Sequence, residues 1–204
     1  MKIKPATAII EMGHKIAAHP LIYDQIQTLA GQRQCLERMS KHTAGLCPET
    51  VVDVGGGTGL WQTLWPAGCR YVCLDIEMPK LQGFRSKDPN GLAVLSDAAC
   101  MCIATESADV VMCVAVLHHL TDHVLHEVFE EIQRVLRDGG RVILFDPVMN
   151  HKRWAGRILW SLDRGSYPRT EEDLRRKFES KFKISHWERF AIFHEYILGI
   201  GVRP

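Results

Sequence analysis

The most suggestive spacing in this sequence is a cluster of glycines just after an acidic side chain. Asp53 lies in an apolar run, and the positions that follow it carry four glycines, Gly55, Gly56, Gly57 and Gly59. A glycine loop lets the backbone approach a ligand more closely than a residue with a Cβ would allow. An acidic group beside the loop repels a pyrophosphate and suits a ligand with an ammonium or sulfonium charge. The pattern therefore predicts a site for a cationic ligand.

Further groups that could do chemistry stand at the ends of later apolar runs. Asp75, Asp97 and the pair His118–His119 each follow one of these runs, and Asp146 ends another. A carboxylate can accept hydrogen bonds from two ligand hydroxyls. A histidine titrates near neutral pH, so it can take a proton from a substrate. Asp146 is expected only to cap the turn that follows it.

These side chains need a scaffold that brings the ends of the apolar runs together. Between residues 51 and 146, five short apolar runs alternate with helical stretches. Runs without polar alternation predict strands buried on both faces, as in a parallel sheet covered by helices. The clearest helix begins at a cap on Thr121 or Asp122 and ends at Gly139–Gly140. The order predicts a doubly wound α/β sheet, in which ligands bind beyond the carboxyl ends of the strands.

The sheet and the segments on either side of it predict a single domain of 204 residues. Residues 1–45 predict an N-terminal helical cap, and residues 46–146 the cofactor-binding core. Residues 147–169 are too long for an ordinary connection between two elements and predict a functional insert. Residues 170–204 begin with a helix capped by Thr170 and end in a pair of antiparallel strands at the sheet edge.

Over about residues 45–148 these motifs resemble those of the class I S-adenosylmethionine-dependent methyltransferases. The loop from Asp53 to Gly59 matches that family's acidic-x-Gly-x-Gly-x-Gly motif at every fixed position. A dinucleotide-binding loop would instead need glycine at position 60, where this chain has leucine. The segments 115–120, 132–140 and 142–146 are similar to a subgroup that includes quinone-biosynthesis and other small-molecule methyltransferases.

The resemblance implies a Rossmann-like methyltransferase fold: a mostly parallel seven-stranded sheet with helices on both faces and an antiparallel last strand. It also implies S-adenosylmethionine as the cofactor and S-adenosylhomocysteine as its product. In the family pattern Asp75 holds the ribose hydroxyls, Asp97 takes the adenine amine, and a backbone N–H near Ala98 donates to the ring. The implied cofactor contacts are Asp53, Gly55, Gly56, Gly57, Gly59, Asp75, Ile76, Asp97, Ala98 and Ala115, with Tyr23 as a lid residue on the N-terminal helix.

Methyl transfer from a sulfonium is an in-line displacement, so the protein mainly aligns the nucleophile with the methyl group in a dry site. A general base is needed only where the nucleophile carries a proton with a high pKa. His119, and after it His118, are the candidates because they follow the fourth strand beside the expected methyl position. The alternative is that they pack or cap the next helix. Metal-dependent enzymes of this fold carry acidic ligands where this chain has two histidines, so no metal is predicted.

The insert at residues 147–169 carries five basic residues and one acidic residue, a local charge of +4. Trp154 starts an apolar stripe at helical spacing. Three interpretations stay open: a packed helix with a solvated basic face, a cap over the acceptor, or a surface helix that contacts a membrane. The cap implies an anionic acceptor, bound by Trp154, Arg164, Tyr167 and Arg169.

Charge and cysteine content restrict the partners and the location. With 25 Lys+Arg against 24 Asp+Glu, the net charge of +1 creates no field that would attract nucleic acid. The seven cysteines have no paired spacing, which predicts reduced thiols. The apolar runs are too short for a membrane span, and the N-terminus does not follow the export-signal pattern. We therefore expect a cytoplasmic monomer or homodimer.

The leading functional prediction is transfer of a methyl group to an O, N or C nucleophile of a small molecule. A protein or nucleic-acid methyltransferase is a first alternative, although the neutral charge and the absence of an Asn-Pro-Pro-Tyr-like motif count against it. A non-catalytic module that binds the cofactor and an NAD-dependent oxidoreductase are the others.

Overall fold

The structure is a computed structural model that describes residues 32–149, 167–192 and 195–204. The strands are β1 (Thr50–Val54), β2 (Arg70–Asp75), β3 (Leu92–Leu95), β4 (Ala108–Val114), β5 (Leu136–Val148), β6 (Lys183–Ala191) and β7 (Glu195–Val202). The described helices are α1 (Gln32–Thr43), α2 (Met78–Lys87), α3 (Asp122–Val135) and α4 (Glu171–Glu179).

The strands form one seven-stranded sheet in the order β3-β2-β1-β4-β5-β7-β6. Neighbours from β3 to β5 are parallel, and β7 runs antiparallel to both β5 and β6. The order reverses between β1 and β4, which opens a crevice beyond the carboxyl ends of the strands. The predicted doubly wound, mostly parallel seven-stranded sheet with an antiparallel last strand is confirmed.

Helices cover both faces of this sheet, as predicted. On one face, Phe129 of α3 and Phe178 of α4 belong to a buried apolar cluster. On the other face, Met39 of α1 and Phe84 of α2 belong to a second cluster. Neighbouring residues of a strand point to opposite faces, so each buried strand contributes side chains to both clusters.

Threonine caps fix the start of the two helices on the first face. Thr121 Oγ1 accepts a hydrogen bond from the backbone N–H of Val124 at 3.4 Å, and Thr170 accepts from that of Asp173 at 3.3 Å. Each cap satisfies a backbone donor that has no partner within its helix. Both caps confirm the sequence predictions.

The end of α3 differs from the prediction. The helix ends at Val135, before Gly139–Gly140, and β5 begins at the next residue. The reason is that Leu136 already pairs with Ala108 of β4, so the sheet takes over the backbone before the glycines are reached.

The connection between β1 and β2, which is fully described, contains a short 3-10 turn at Gln62–Leu64 in place of the predicted helical stretch. The buried side chains of Trp61 and Trp65 join the second apolar cluster there. Two indoles thus cover part of the sheet that a helix would otherwise cover.

The connection between β3 and β4 is also built from turns. Its backbone is bound by side chains of α3: Glu131 accepts from the N–H of Met101 at 2.7 Å, and Arg134 donates to the carbonyls of Met101 and Ile103. These side chains satisfy polar groups that a helix would have paired internally. A pattern of apolar spacing cannot reveal this kind of support.

The flanking segments are described in part. The closing strands predicted at residues 182–190 and 194–202 agree with β6 and β7 to within about one residue. Residues 1–31 of the predicted N-terminal cap and 150–166 of the insert lie outside the described residues. None of the helices in the described ranges is long and apolar enough to cross a membrane.

Candidate cofactor-binding and active site

A cavity of about 530 Å³ lies where β1, β2, β3 and β4 end. This is the position at which the strand order reverses, and where an open α/β sheet binds its ligands. The predicted site residues that line it are Gly55, Asp75, Ile76, Asp97, Ala98, Ala115, His118 and His119.

The glycine loop forms one wall of the cavity and is tied to the end of β2. The N–H groups of Gly55 and Gly56 both donate to the carbonyl of Leu74, at 2.7 and 3.0 Å. Gly55 has φ +70°, and a Cβ at this position would lie 2.3 Å from Cγ2 of Val116. Glycine is therefore required by the left-handed backbone and by the close approach of the chain after β4.

Asp75 is held rigidly at the end of β2. Its Oδ2 accepts from the N–H of Gly57 at 3.0 Å, and its Oδ1 accepts from the N–H of Glu77 at 2.8 Å. A carboxylate has about four acceptor sites. After these two bonds, Asp75 can still accept hydrogen bonds from two hydroxyls of a ligand in the cavity.

The segment after β3 forms a braced turn on another wall. Asp97 Oδ1 accepts from the N–H of Ala99 at 2.9 Å. Ser96 Oγ donates to the carbonyl of Cys100 at 2.9 Å and accepts from the N–H of Cys102 at 3.1 Å. These bonds fix the turn that carries the Asp97 side chain.

The described wall of the cavity is acidic. It includes the carboxylates of Asp75, Glu77 and Asp97, whereas Lys80 supplies an ammonium group that pairs with Glu77 at 2.6 Å. With neutral histidines, three negative charges face one positive charge. This balance favours a cationic ligand over a diphosphate.

Asp53 does not line this cavity, which differs from the expectation that it faces the ligand. Its carboxyl is fully buried in β1, where Oδ2 accepts a hydrogen bond from the Tyr71 hydroxyl. A Cβ on Gly56 would lie 2.8 Å from that Oδ2. Asp53 therefore supports the glycine loop from behind.

The environment of Asp53 disfavours its charged form. Burial raises its pKa to about 7, the negative charge of Asp75 acts in the same direction, and the hydrogen bond from Tyr71 opposes them. Its Oδ1 has no hydrogen-bond partner among the described residues. A proton on this carboxyl would relieve the cost of burying the charge.

His118 is the more firmly held of the two histidines. It is buried, its Nδ1 lies 3.1 Å from Asp146 Oδ1, and that same oxygen accepts from the N–H of Leu117 at 3.1 Å. His119 is exposed, and its ring centroid lies 3.9 Å from that of His118. Asp146, expected only to cap a turn, therefore orients a histidine at the cavity wall.

Residues 52–144 match the model of a family described as a methyltransferase domain. In fold, the chain is similar to the magnesium protoporphyrin IX methyltransferase of Synechocystis PCC 6803 solved with S-adenosylhomocysteine, with a TM-score of 0.70 and 19% identity over 86% of this chain and 84% of that one. Over residues 52–144 this chain therefore matches a methyltransferase domain, and its fold is similar to that of an enzyme solved with S-adenosylhomocysteine.

The chain also has curated relatives in sequence. It is 28% identical over 119 residues to a thiol S-methyltransferase of Rattus norvegicus, and the matched stretch covers 54% of this chain and 47% of that protein. The human thiol S-methyltransferase is 27% identical over 138 residues, or 63% of this chain and 54% of that protein. The matched stretch thus spans about half the length of these relatives.

Arg169, the last residue of the predicted insert, binds groups of the protein itself. It is buried; its Nε donates to Asp122 at 2.8 Å and its Nη1 to the carbonyl of Leu117 at 2.8 Å, while Nη2 donates to the carbonyl of Leu120. The guanidinium thus holds the loop after β4, a structural role that the sequence analysis did not predict. A local count of positive charge could not reveal these carbonyl partners.

The other residues predicted to contact the cofactor or the acceptor, on the N-terminal cap and the insert, are only partly described. Tyr167 has an exposed side chain beside Asp122, and its N–H donates to the carbonyl of His118 at 2.6 Å. Tyr23, Trp154 and Arg164 lie outside the described residues and stay predictions.

Sequence reasoning missed the roles of Asp146 and Tyr71. Asp146 lies near the end of β5, the neighbour of the strand that precedes His118, so its position directly after an apolar run was the available signal. For Tyr71 no local signal exists, because its partner Asp53 comes from another strand.

Proposed function

We propose that this chain transfers a methyl group from S-adenosylmethionine to a small-molecule acceptor. The observation that carries the proposal is an acidic cavity at the switch point of the sheet, with a rigid Asp75 that retains acceptor sites for ligand hydroxyls. A diphosphate cofactor would meet carboxylates there, whereas a sulfonium and an ammonium group would be attracted.

The described residues fit this cofactor. The backbone at Gly55 can approach it closely, Asp75 would accept from its ribose hydroxyls, and the turn at Asp97–Ala98 would meet the adenine. Ile76, which is 67% exposed at the cavity wall, offers an apolar surface for the adenine ring. When bound, the cofactor supplies a methyl group already activated on a sulfonium.

His118 is the residue we assign to proton transfer, in preference to His119. Asp146 beside Nδ1 favours the tautomer with the proton on Nδ1, which leaves Nε2 as the acceptor. The carboxylate also stabilises the imidazolium that forms when Nε2 takes a proton from the acceptor. Asp146 is thus a positioning residue for this base.

A thiol is the first acceptor class to test, since the curated relatives are named thiol S-methyltransferases. A thiol has a pKa of roughly 8.5. A histidine can therefore deprotonate it near neutral pH, and the thiolate is the nucleophilic form.

Cofactor placement is tested by Asp75→Ala, measured by calorimetry with S-adenosylhomocysteine. Loss of charge-assisted hydrogen bonds worth roughly 1.5 to 3 kcal/mol should weaken binding about ten- to a hundredfold. Asp138→Ala is the matched control, because that carboxylate is 90% exposed and lies near the start of β5, away from the strand ends that form the cavity. Unchanged affinity in a folded Asp75→Ala protein would show that the placement is wrong.

The base is tested with His118→Ala, His119→Ala and Asp146→Asn, using a small thiol and labelled S-adenosylmethionine. We expect His118→Ala to lower kcat about a hundredfold or more near pH 7. The loss in kcat should be smaller at pH 9, where the free thiol ionises without a base. His119→Ala should retain most activity. Equal losses in both histidine variants at every pH would contradict the assignment.

A further inference from the structure

A second group of ionisable side chains lies outside the cofactor cavity, between α1 and β6. Glu188 Oε2 lies 3.9 Å from His42 Nε2 and 3.7 Å from His186 Nε2. One ligand atom from each of the three residues lies within 4.8 Å of the other two, and the three side chains are half-buried. These separations exceed hydrogen-bond lengths. His186 Nε2 is buried and has no hydrogen-bond partner among the described residues.

A bulge in β6 explains why these side chains converge. The register against β7 shifts between Ile184 and His186. Ile184 and Trp187 pack against the apolar cluster on one face of the sheet, whereas Phe190 belongs to the cluster on the other. The bulge therefore changes the face to which alternate residues point, so that His186 and Glu188 share the α1 side with Phe190.

A fourth side chain orients the carboxylate of Glu188. Arg38, one helical turn before His42, donates from Nη1 to Glu188 Oε1. Its guanidinium also lies 4.1 Å from the centre of the Phe190 ring, which holds it in place. Oε1 is thus engaged by Arg38, and Oε2 is left facing the two imidazoles.

We propose that His42, His186 and Glu188 bind a divalent transition-metal ion of the zinc type. Two imidazole nitrogens and one carboxylate oxygen form a common set of protein ligands for zinc, with water in the fourth position. Ligand atoms bound at roughly 2.0 to 2.1 Å in a tetrahedron lie roughly 3.3 Å apart. Closing the two pairs at 3.9 and 3.7 Å to this spacing takes roughly half an ångström each. Arg38 would then serve as the hydrogen-bond partner of the ligating carboxylate.

Such an ion would fasten α1 to β6, a strand at the edge of the sheet. Binding to the folded chain alone would raise its stability by mass action. Since none of the three ligands lines the cofactor cavity, the ion would act apart from methyl transfer.

The test uses the full chain without a histidine tag, freed of metal with a chelator. Zn²⁺ is titrated against a chromophoric competitor, and thermal unfolding is followed with and without the ion. We expect one equivalent to bind and raise Tm. His42→Ala, His186→Ala and Glu188→Gln should each weaken binding at least tenfold and abolish most of the Tm shift, whereas His123→Ala, at an exposed histidine of α3, should change neither.

Unfolding curves without metal show whether each variant is folded. The assignment is overturned if the wild-type chain has no one-to-one site, or if all three ligand variants bind as the control does. Co²⁺ provides a second readout: thiolate-to-metal charge-transfer bands would mean that exposed thiols such as Cys47, Cys100 and Cys102 bind the ion instead. Mg²⁺, which prefers oxygen ligands, should not compete.

Discussion

Asp53→Asn replaces a buried carboxyl with a neutral amide of nearly the same shape. Burial raises the pKa of Asp53 from 3.8 to about 7. In the unfolded chain this group loses its proton near pH 4, whereas in the folded chain it keeps the proton until about pH 7. The folded state therefore binds the extra proton between these values, and the stability of the wild-type protein falls as pH rises through the window.

The size of the effect follows from the two pKa values. Each unit of pKa difference corresponds to about 1.4 kcal/mol. From pH 5 to pH 8, the contribution of Asp53 to the free energy of unfolding should fall by roughly 2 to 3 kcal/mol. Asparagine does not titrate, so the free energy of unfolding of the variant minus that of the wild type should rise by the same amount.

Urea unfolding at pH 5, 6, 7 and 8, followed by circular dichroism, measures this difference. Asp138→Asn serves as the control, since the Asp138 side chain is 90% exposed. The free energy of unfolding of this variant minus that of the wild type should stay nearly constant from pH 5 to pH 8. A difference for Asp53→Asn that is constant or shrinks with pH would refute the argument that a protonated carboxyl is buried behind the glycine loop.

Three further substitutions test contacts that support the site. Tyr71→Phe removes the hydroxyl that donates to Asp53, so urea unfolding should show a loss of about 1 to 3 kcal/mol, larger at pH 8 than at pH 6 because the bond stabilises the ionised form. Thr121→Ala removes the cap of α3 and should cost about 1 kcal/mol in thermal unfolding, whereas Thr121→Ser should retain most of it. Arg169→Ala should cost about 2 kcal/mol or more by urea unfolding, because the carbonyls of Leu117 and Leu120 lose their donor and the exposed Asp122 loses an ion-pair partner; unchanged stability with a raised KM would favour an acceptor contact instead.

The elements of the core could be predicted because each depends on its own residues. Short apolar runs become strands since both faces of a parallel sheet are buried. Thr121 and Thr170 start helices because a hydroxyl at the first turn satisfies a nearby backbone donor. Asp75 and Asp97 reach the cavity because they stand at strand ends, and the strand order brings those ends to one edge.

The connections were less predictable, because their structure depends on support from elsewhere. Trp61 and Trp65 cover the sheet where a helical stretch was expected, and Arg134 binds carbonyls about 30 residues away. Side chains that take the place of a helix in this way leave no periodic apolar pattern in the connecting segment.

The sequence by itself determined the sheet, the glycine loop and the kind of ligand that an acidic site beside it would attract. The tertiary structure decided what each ionisable side chain faces. It turned Asp53 toward Tyr71, paired His118 with Asp146 from 28 residues away, enclosed Arg169 among backbone carbonyls and, through a bulge, set His186 opposite His42. The reason is that charge and hydrogen bonding act over a few ångströms in space, and distant segments share that space only after folding.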